Sequence, residues 1–298
     1  MIKIQRHPKL ADVAAFISRL NSNLEHHIGY CGKKMDEIFN TLEEDFGDIP
    51  ARESFFIATE SDKVVGVCGF DADNERGKAE IWGPFVDRAD ALKVSILLWE
   101  STIKEIPNTI QTVSLFPDNH NLMVVDLANR YSFDSVSKET ILTCSKQSFR
   151  RVNNDNVIPL IISEHYSSLI KLHNQIFPNS YLTGTEMVDG LSETSTVFGA
   201  VNEHGNLLGY LYTEAEPEFG EGSIEFFGVT PLVRNKGLGT SLLVKGLEWL
   251  FTFPSIEEVT LCVQSDNSKA IRLYKRLGFQ IEHQLTFFEK TLDKSGVN

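Results

Sequence analysis

After the apolar, strand-like run that ends in Val229, the chain reads Arg234-Asn235-Lys236-Gly237-Leu238-Gly239-Thr240 and then turns helical in character. A glycine has no Cβ, so the backbone N–H groups around Gly237 and Gly239 can close around an anion. A helix that begins there adds its unpaired N–H groups and the positive end of its dipole. The chemistry these residue types support is the seating of a pyrophosphate. The segment is not a Walker loop, because the closing Gly-Lys-Ser/Thr is missing, and it is too short for the Gly-x-Gly-x-x-Gly dinucleotide fingerprint. A turn that only needs glycine is the plainer alternative, and Gly-x-Gly alone would favour it. The arginine three residues before the first glycine, the strand valine five residues before that arginine, and the helix behind them favour the anion seat.

Such a seat needs a strand leading in and a helix leading out, and the sequence repeats that plan. Phe55 to Glu60, Val65-Gly66 and Val86 recur as Phe198 to Glu203, Leu208-Gly209 and Val229, all at an offset of 143. Leu127 to Phe133 matches Leu273 to Phe279 at an offset of 146, so the second half has gained three residues after Val229, where its glycine turn lies. In that half the apolar periodicity predicts a helix over 164–176, a strand over 196–202, a turn at 204–206, and a strand over 207–213. A polar loop over 214–222, a strand over 223–230 and a helix over about 236–253 follow. The β-branched run 259–263 predicts a strand, 268–277 a helix stopped by Gly278, and the tail 279–292 a closing hairpin. Each half therefore reads as a mixed α/β (α+β) domain with a mixed sheet. The expected domains are residues 1–150 and 151–298, hinged in the polar stretch Arg150 to Asn156.

The bulk composition narrows the partners. With 42% hydrophobic and 23% charged residues, the chain has the make-up of a globular protein. No apolar stretch approaches a membrane span, and the start Met1 to Pro8 lacks a signal-peptide core, so a cytoplasmic protein is expected. Its four cysteines, Cys31, Cys68, Cys144 and Cys262, lack the paired spacing of a zinc or redox site, and no metal is expected. A net charge of −13, spread over both halves, offers no basic surface for nucleic acid and would attract a cationic small molecule.

The glycine turn resembles the signature of the GNAT acetyltransferase superfamily: Arg or Gln, two residues, Gly, one residue, Gly or Ala. The likeness continues in the family's next block, here Asn267-Ser268-Lys269-Ala270-Ile271-Arg272-Leu273-Tyr274-Lys275-Arg276-Leu277-Gly278-Phe279. Two motifs in order, separated by one helix and one strand, are far more specific than either alone. The resemblance implies two tandem GNAT-like acyl-CoA N-acyltransferase domains and acetyl-CoA as co-substrate. It further implies that Phe227, Gly228 and Val229 hold the pantetheine arm by main-chain bonds and that Arg234 to Thr240 hold the phosphates. Tyr274 would then protonate the departing thiolate, and Asn267 would bond the cofactor arm, cap the helix, or do both.

For the base that frees the acceptor amine we select Glu225, expected on the same face as Phe227 by the strand period of two. A solvated strand carboxylate is the alternative, and Glu214 and Glu216 are weaker candidates. Tyr181 falls where the family builds its acceptor wall. His165, His173, His204 and His283 are expected in surface or capping roles. The first half departs from the pattern: after Val86 it reads Asp87-Arg88-Ala89-Asp90-Ala91-Leu92-Lys93, with no glycine and with acids where an anion would sit, so it is expected not to bind CoA. The function this implies is acetyl transfer to a primary amine of a small, cationic acceptor. Protein N-terminal or lysine acetylation, or non-catalytic acyl-CoA sensing, are the alternatives.

Overall fold

The structure, a computed structural model, describes residues 2–152, 163–178, 180–202, 204–234 and 236–292. Asn235, and the expected hinge from residue 153 onward, lie outside them. The chain forms two compact units, Met1–Glu139 with His283–Asn298, and Thr140–Glu282. These differ from an even division at residue 150. A cut there follows sequence polarity, whereas strand pairing assigns residues 140–145 to the second unit and 283–291 to the first.

In order, the elements are β1 (Lys3–Arg6), α1 (Leu10–Asn21), α2 (Met35–Glu44), α3 (Ala51–Ser54), β2 (Phe56–Glu60), β3 (Lys63–Asp73), β4 (Lys78–Val86) and α4 (Ala91–Glu105). Then come β5 (Thr112–Leu115), α5 (Leu122–Arg130), β6 (Asp134–Ser145), α6 (Tyr166–Ile176), α7 (Gly184–Asp189), β7 (Ser195–Val201) and β8 (Leu207–Glu216). The chain closes with β9 (Glu221–Val229), α8 (Leu238–Leu250), β10 (Glu258–Gln264), α9 (Ser268–Arg276) and β11 (Gln280–Thr291). The first unit's strands run in the order β1-β2-β3-β4-β5-β11, with β4 and β5 parallel. The second unit's run β6-β10-β9-β8-β7, with β9 and β10 parallel and the β7-β8-β9 meander antiparallel.

In the second unit each sheet face has its own core. On one face Leu242, Leu243, Leu247 and Leu250, spaced to make one stripe of α8, bury against Leu211, Ile224 and Val259. On the other, Leu169 and Leu172 of α6 and Met187 of α7 pack on Tyr210, Tyr212 and Phe226. Helix starts are fixed by side chains: Thr183 and Glu186 form a capping box on α7, and Asn267 accepts from the Ala270 N–H at the start of α9. Gly278, at φ 107°, ends α9.

Two segments differ from expectation. Residues 214–222 are mostly strand: β8 continues to Glu216 and β9 starts at Glu221, because Ala215 is buried between half-buried Glu214 and exposed Glu216 and Gly220, at φ 70°, permits a tight reversal. The tail is one 12-residue strand, β11, instead of a hairpin, since Gln280 to Thr291 contains no Gly, Pro, Asn or Asp to reverse the chain.

Candidate functional site

The ladder between β9 and β10 runs from Glu221–Glu258 to Ile224–Leu261 and stops there. Beyond it, Phe226 to Val229 remain paired with β8 on one edge only, so the strand offers main-chain groups to a gap on the other. Phe227, Gly228 and Val229 all lie on this open edge. A Cβ on Gly228 would come within 2.7 Å of Ile176, so close packing as well as backbone access calls for glycine there.

From Val229 a short 3-10 turn, Pro231–Val233, leads to the glycine segment. Arg234 reaches back to donate from Nε to the Val229 carbonyl at 3.2 Å, tying the strand end to the turn. Gly237 takes φ 83°, a left-handed conformation that glycine adopts without steric cost, and it is the residue from which α8 starts with no side-chain cap. The first N–H groups of α8, at Leu238, Gly239 and Thr240, thus point out of the helix end. A Cβ on Gly239 would lie 3.0 Å from the Phe227 ring, so this glycine also lets the helix start sit close against the strand. Lys236 is exposed beside the turn.

Tyr274 stands on α9 with its ring edge-on to Phe227 at 6.3 Å and to Phe279 at 5.8 Å. It is 6% exposed, and burial, aided by the neighbouring Cys262, pushes its phenol above the ordinary tyrosine range. It therefore holds its proton through neutral pH. No described residue hydrogen-bonds its hydroxyl. Asn267 is in place as the cap of α9, with its Oδ1 engaged by Ala270.

Glu225 requires a correction. Tyr212 pairs with Phe226 but Thr213 pairs with Ile224, leaving Glu225 as the extra residue of a β-bulge. The bulge resets the alternation: Phe227 packs with the α8 face, whereas Glu225 joins Phe226 on the α6 face, where it accepts a hydrogen bond from the Tyr181 hydroxyl. A period-of-two count cannot see the inserted residue.

On that same face Tyr212 donates to Glu214. Burial pushes the Glu214 carboxyl up, the nearby Glu225 charge adds to this, and the Tyr212 hydroxyl opposes it. The Tyr181 and Phe226 rings lie 5.2 Å apart, and Tyr212 stacks on Phe226 at 6.5 Å. His173, expected in a surface or capping role, is fully buried. Its Nδ1 accepts from the Tyr210 hydroxyl at 2.7 Å, and its Nε2 donates to the Leu182 carbonyl at 2.8 Å. Burial lowers its affinity for a second proton. Neither Tyr212 nor His173 carries a motif; the only sequence signal is a polar group at an inward position of an amphipathic element. Among the described residues no helix is long and apolar enough to cross a membrane.

Residues 166–279 match the acetyltransferase (GNAT) family. The mycothiol acetyltransferase of Saccharopolyspora erythraea is 41% identical over 80 residues, covering 27% of this chain and 26% of that protein. That of Paenarthrobacter aurescens is 39% identical over 84 residues, with 27% and 26% covered. The chain thus matches about a quarter of the length of these relatives. Among solved structures, a GCN5-related N-acetyltransferase from Sphaerobacter thermophilus superposes with a TM-score of 0.75 at 16% identity, covering 97% of this chain and 95% of that one. A tandem GNAT protein from the clavulanic acid biosynthesis pathway gives 0.64 at 14% identity, with 98% of both chains covered. Residues 166–279 thus carry the match to the acetyltransferase (GNAT) family, within a chain whose fold is like that of a tandem GNAT protein.

Proposed function

We propose that the protein transfers the acetyl group of acetyl-CoA to a primary amine of a small, cationic acceptor. The observation that carries this reading is the junction at Val229, where a strand edge left open by β10 runs directly into a helix start built on a left-handed glycine. An open edge accepts an amide-bearing arm as an added strand would, and the helix start accepts phosphates. Phe227, Gly228 and Val229 hold the arm, and Arg234 to Thr240 hold the pyrophosphate. The first unit lacks this seat and binds no CoA.

Glu225 accepts a proton from the incoming ammonium, directly or through water, leaving a neutral amine. As the amine nitrogen bonds the thioester carbonyl carbon and the carbon–sulfur bond breaks, Tyr274 gives its phenolic proton to the departing sulfur, and the second proton shed by the nitrogen passes through water to restore the phenol, while the proton held by Glu225 leaves to solvent. The products are an amide and a free thiol. A cationic acceptor is supported by Glu214 and Glu225, two carboxylates on one face with tyrosines around them, since a positive charge there offsets the burial, and with it the repulsion from Glu225, that push Glu214 up. The test is free-thiol release from acetyl-CoA against a panel of amines, amino sugars and N-terminal peptides. Turnover with small cationic amines is expected; turnover with peptides alone, or with none, would overturn the assignment.

A further inference from the structure

We infer that Tyr181 is a positioning residue that acts through Glu225, fixing the carboxylate so that its free oxygen meets the acceptor. The inference rests on the assignment of Glu225 as base. Tyr181 is 60% exposed, yet it is not loosely held. On one side of it Ser180 and on the other Leu182 are bound by one buried imidazole: His173 Nε2 lies 3.2 Å from the Ser180 hydroxyl and 2.8 Å from the Leu182 carbonyl. A carbonyl only accepts, so Nε2 carries the proton, and Nδ1 is left to accept from Tyr210 on β8. His173 thereby ties the segment flanking Tyr181 to the sheet that bears the bulge.

So anchored, the Tyr181 ring lies over Phe226 at 5.2 Å and its hydroxyl donates to Oε2 of Glu225. A bulged residue lacks the ladder partner that would define its direction, and its long side chain has rotamers to lose. The phenol removes that freedom and leaves the second oxygen, Oε1, for the amine.

The test uses the full chain with acetyl-CoA and whichever amine of the panel turns over. Tyr181→Phe keeps the ring and its contact with Phe226 and should lower kcat about tenfold, a fraction of what a whole general base supplies, with acetyl-CoA affinity unchanged. The same substitution made on top of Glu225→Gln should lower kcat no further, because the carboxylate it served is gone. The loss should fall on kcat, with the KM for the amine little changed. An equal loss of rate in both backgrounds would overturn the inference while leaving Glu225 as base. Full rate in Glu225→Gln alone would instead remove the base, and the role of Tyr181 with it.

Discussion

The two units repeat one plan so closely that Gly66 pairs with Val86 as Gly209 pairs with Val229, and both ladders slip at the next bulge. At the positions proposed for chemistry they part. At the offset of 143, Glu225 corresponds to Trp82, which is 3% exposed and packed edge-on against Phe46 and Phe55 at 5.3 and 6.1 Å. Phe227 corresponds to Pro84, which has no N–H to offer an added strand. Where the second unit has its glycine turn, the first has Arg88 bonded to Asp90 at 2.5 Å and to Glu60, and Asp87 held by Arg19 at 2.7 Å. Ala128 stands for Tyr274 at the offset of 146. The scaffold survives these changes because it depends on apolar faces. Open backbone and left-handed glycine do nothing for packing, so a unit can lose them and keep its fold.

The sharpest way to break this contrast is to give the second unit the acid of the first. Gly237→Asp places a Cβ at φ 83° and a carboxylate beside the α8 N–H groups, and acetyl-CoA binding should be lost. At a hundredfold excess over Kd the parent chain should gain about 2.7 kcal/mol from the ligand, and the variant nothing. A residual ligand-induced thermal shift in a folded variant would mean that the first unit, or some other site, binds CoA.

A subtler probe is Tyr274→Phe, which copies the missing hydroxyl of Ala128 without removing the ring. The rate should fall on the order of a hundredfold with acetyl-CoA affinity kept, because a general acid acts only as the thiolate leaves. Since no described residue bonds that hydroxyl, stability should not fall by the roughly 1 kcal/mol that a lost internal hydrogen bond costs. A full rate in this variant would make Tyr274 an ordinary core aromatic.

What the sequence made legible was local. The glycine turn, the helices around it and the cap at Asn267 follow from residues within a few positions of one another, and the halves' common plan from short runs that recur at an offset of 143. The side of the sheet reached by Glu225 was not legible, because the bulge is a property of how β8 and β9 pair and leaves no residue signature in β9. Nor was the membership of residues 140–145 and 283–291, which depends on contacts far away in sequence. Buried His173 escaped because a helical histidine three residues before a helix end resembles a C-terminal capping group.

The smallest effect separates the units by their response to acid. In the first, the His27 and His283 rings stack at 3.5 Å and 6°, and are 4% and 5% exposed. His27 Nδ1 faces the Asn21 carbonyl at 2.9 Å, and His283 Nδ1 faces Asp118 at 3.0 Å, which also binds His120 at 2.8 Å. Burial tends to raise the Asp118 carboxyl, but the hydrogen bonds from His283 and His120 outweigh it and hold the group at about 2. Burial, then the adjoining His283, with Lys33 adding slightly, lower His27 to about 4, against the backbone bond to Asn21 and the charge of Asp118. A histidine lowered on folding takes up its proton more readily in the unfolded chain. Its contribution is thus complete above its unfolded value of about 6.5 and is lost as pH falls toward 4, amounting to at most about 3 kcal/mol. His173 shifts in the same direction, so the second unit also weakens in acid. Hydrogen exchange at pH 7 and pH 4.5 should show the larger loss of protection in β5 and the His283–Thr291 part of β11, and His27→Phe should flatten that dependence. Equal losses in both units, or an unchanged slope in the variant, would show that the stacked pair does not govern the acid response of the first unit.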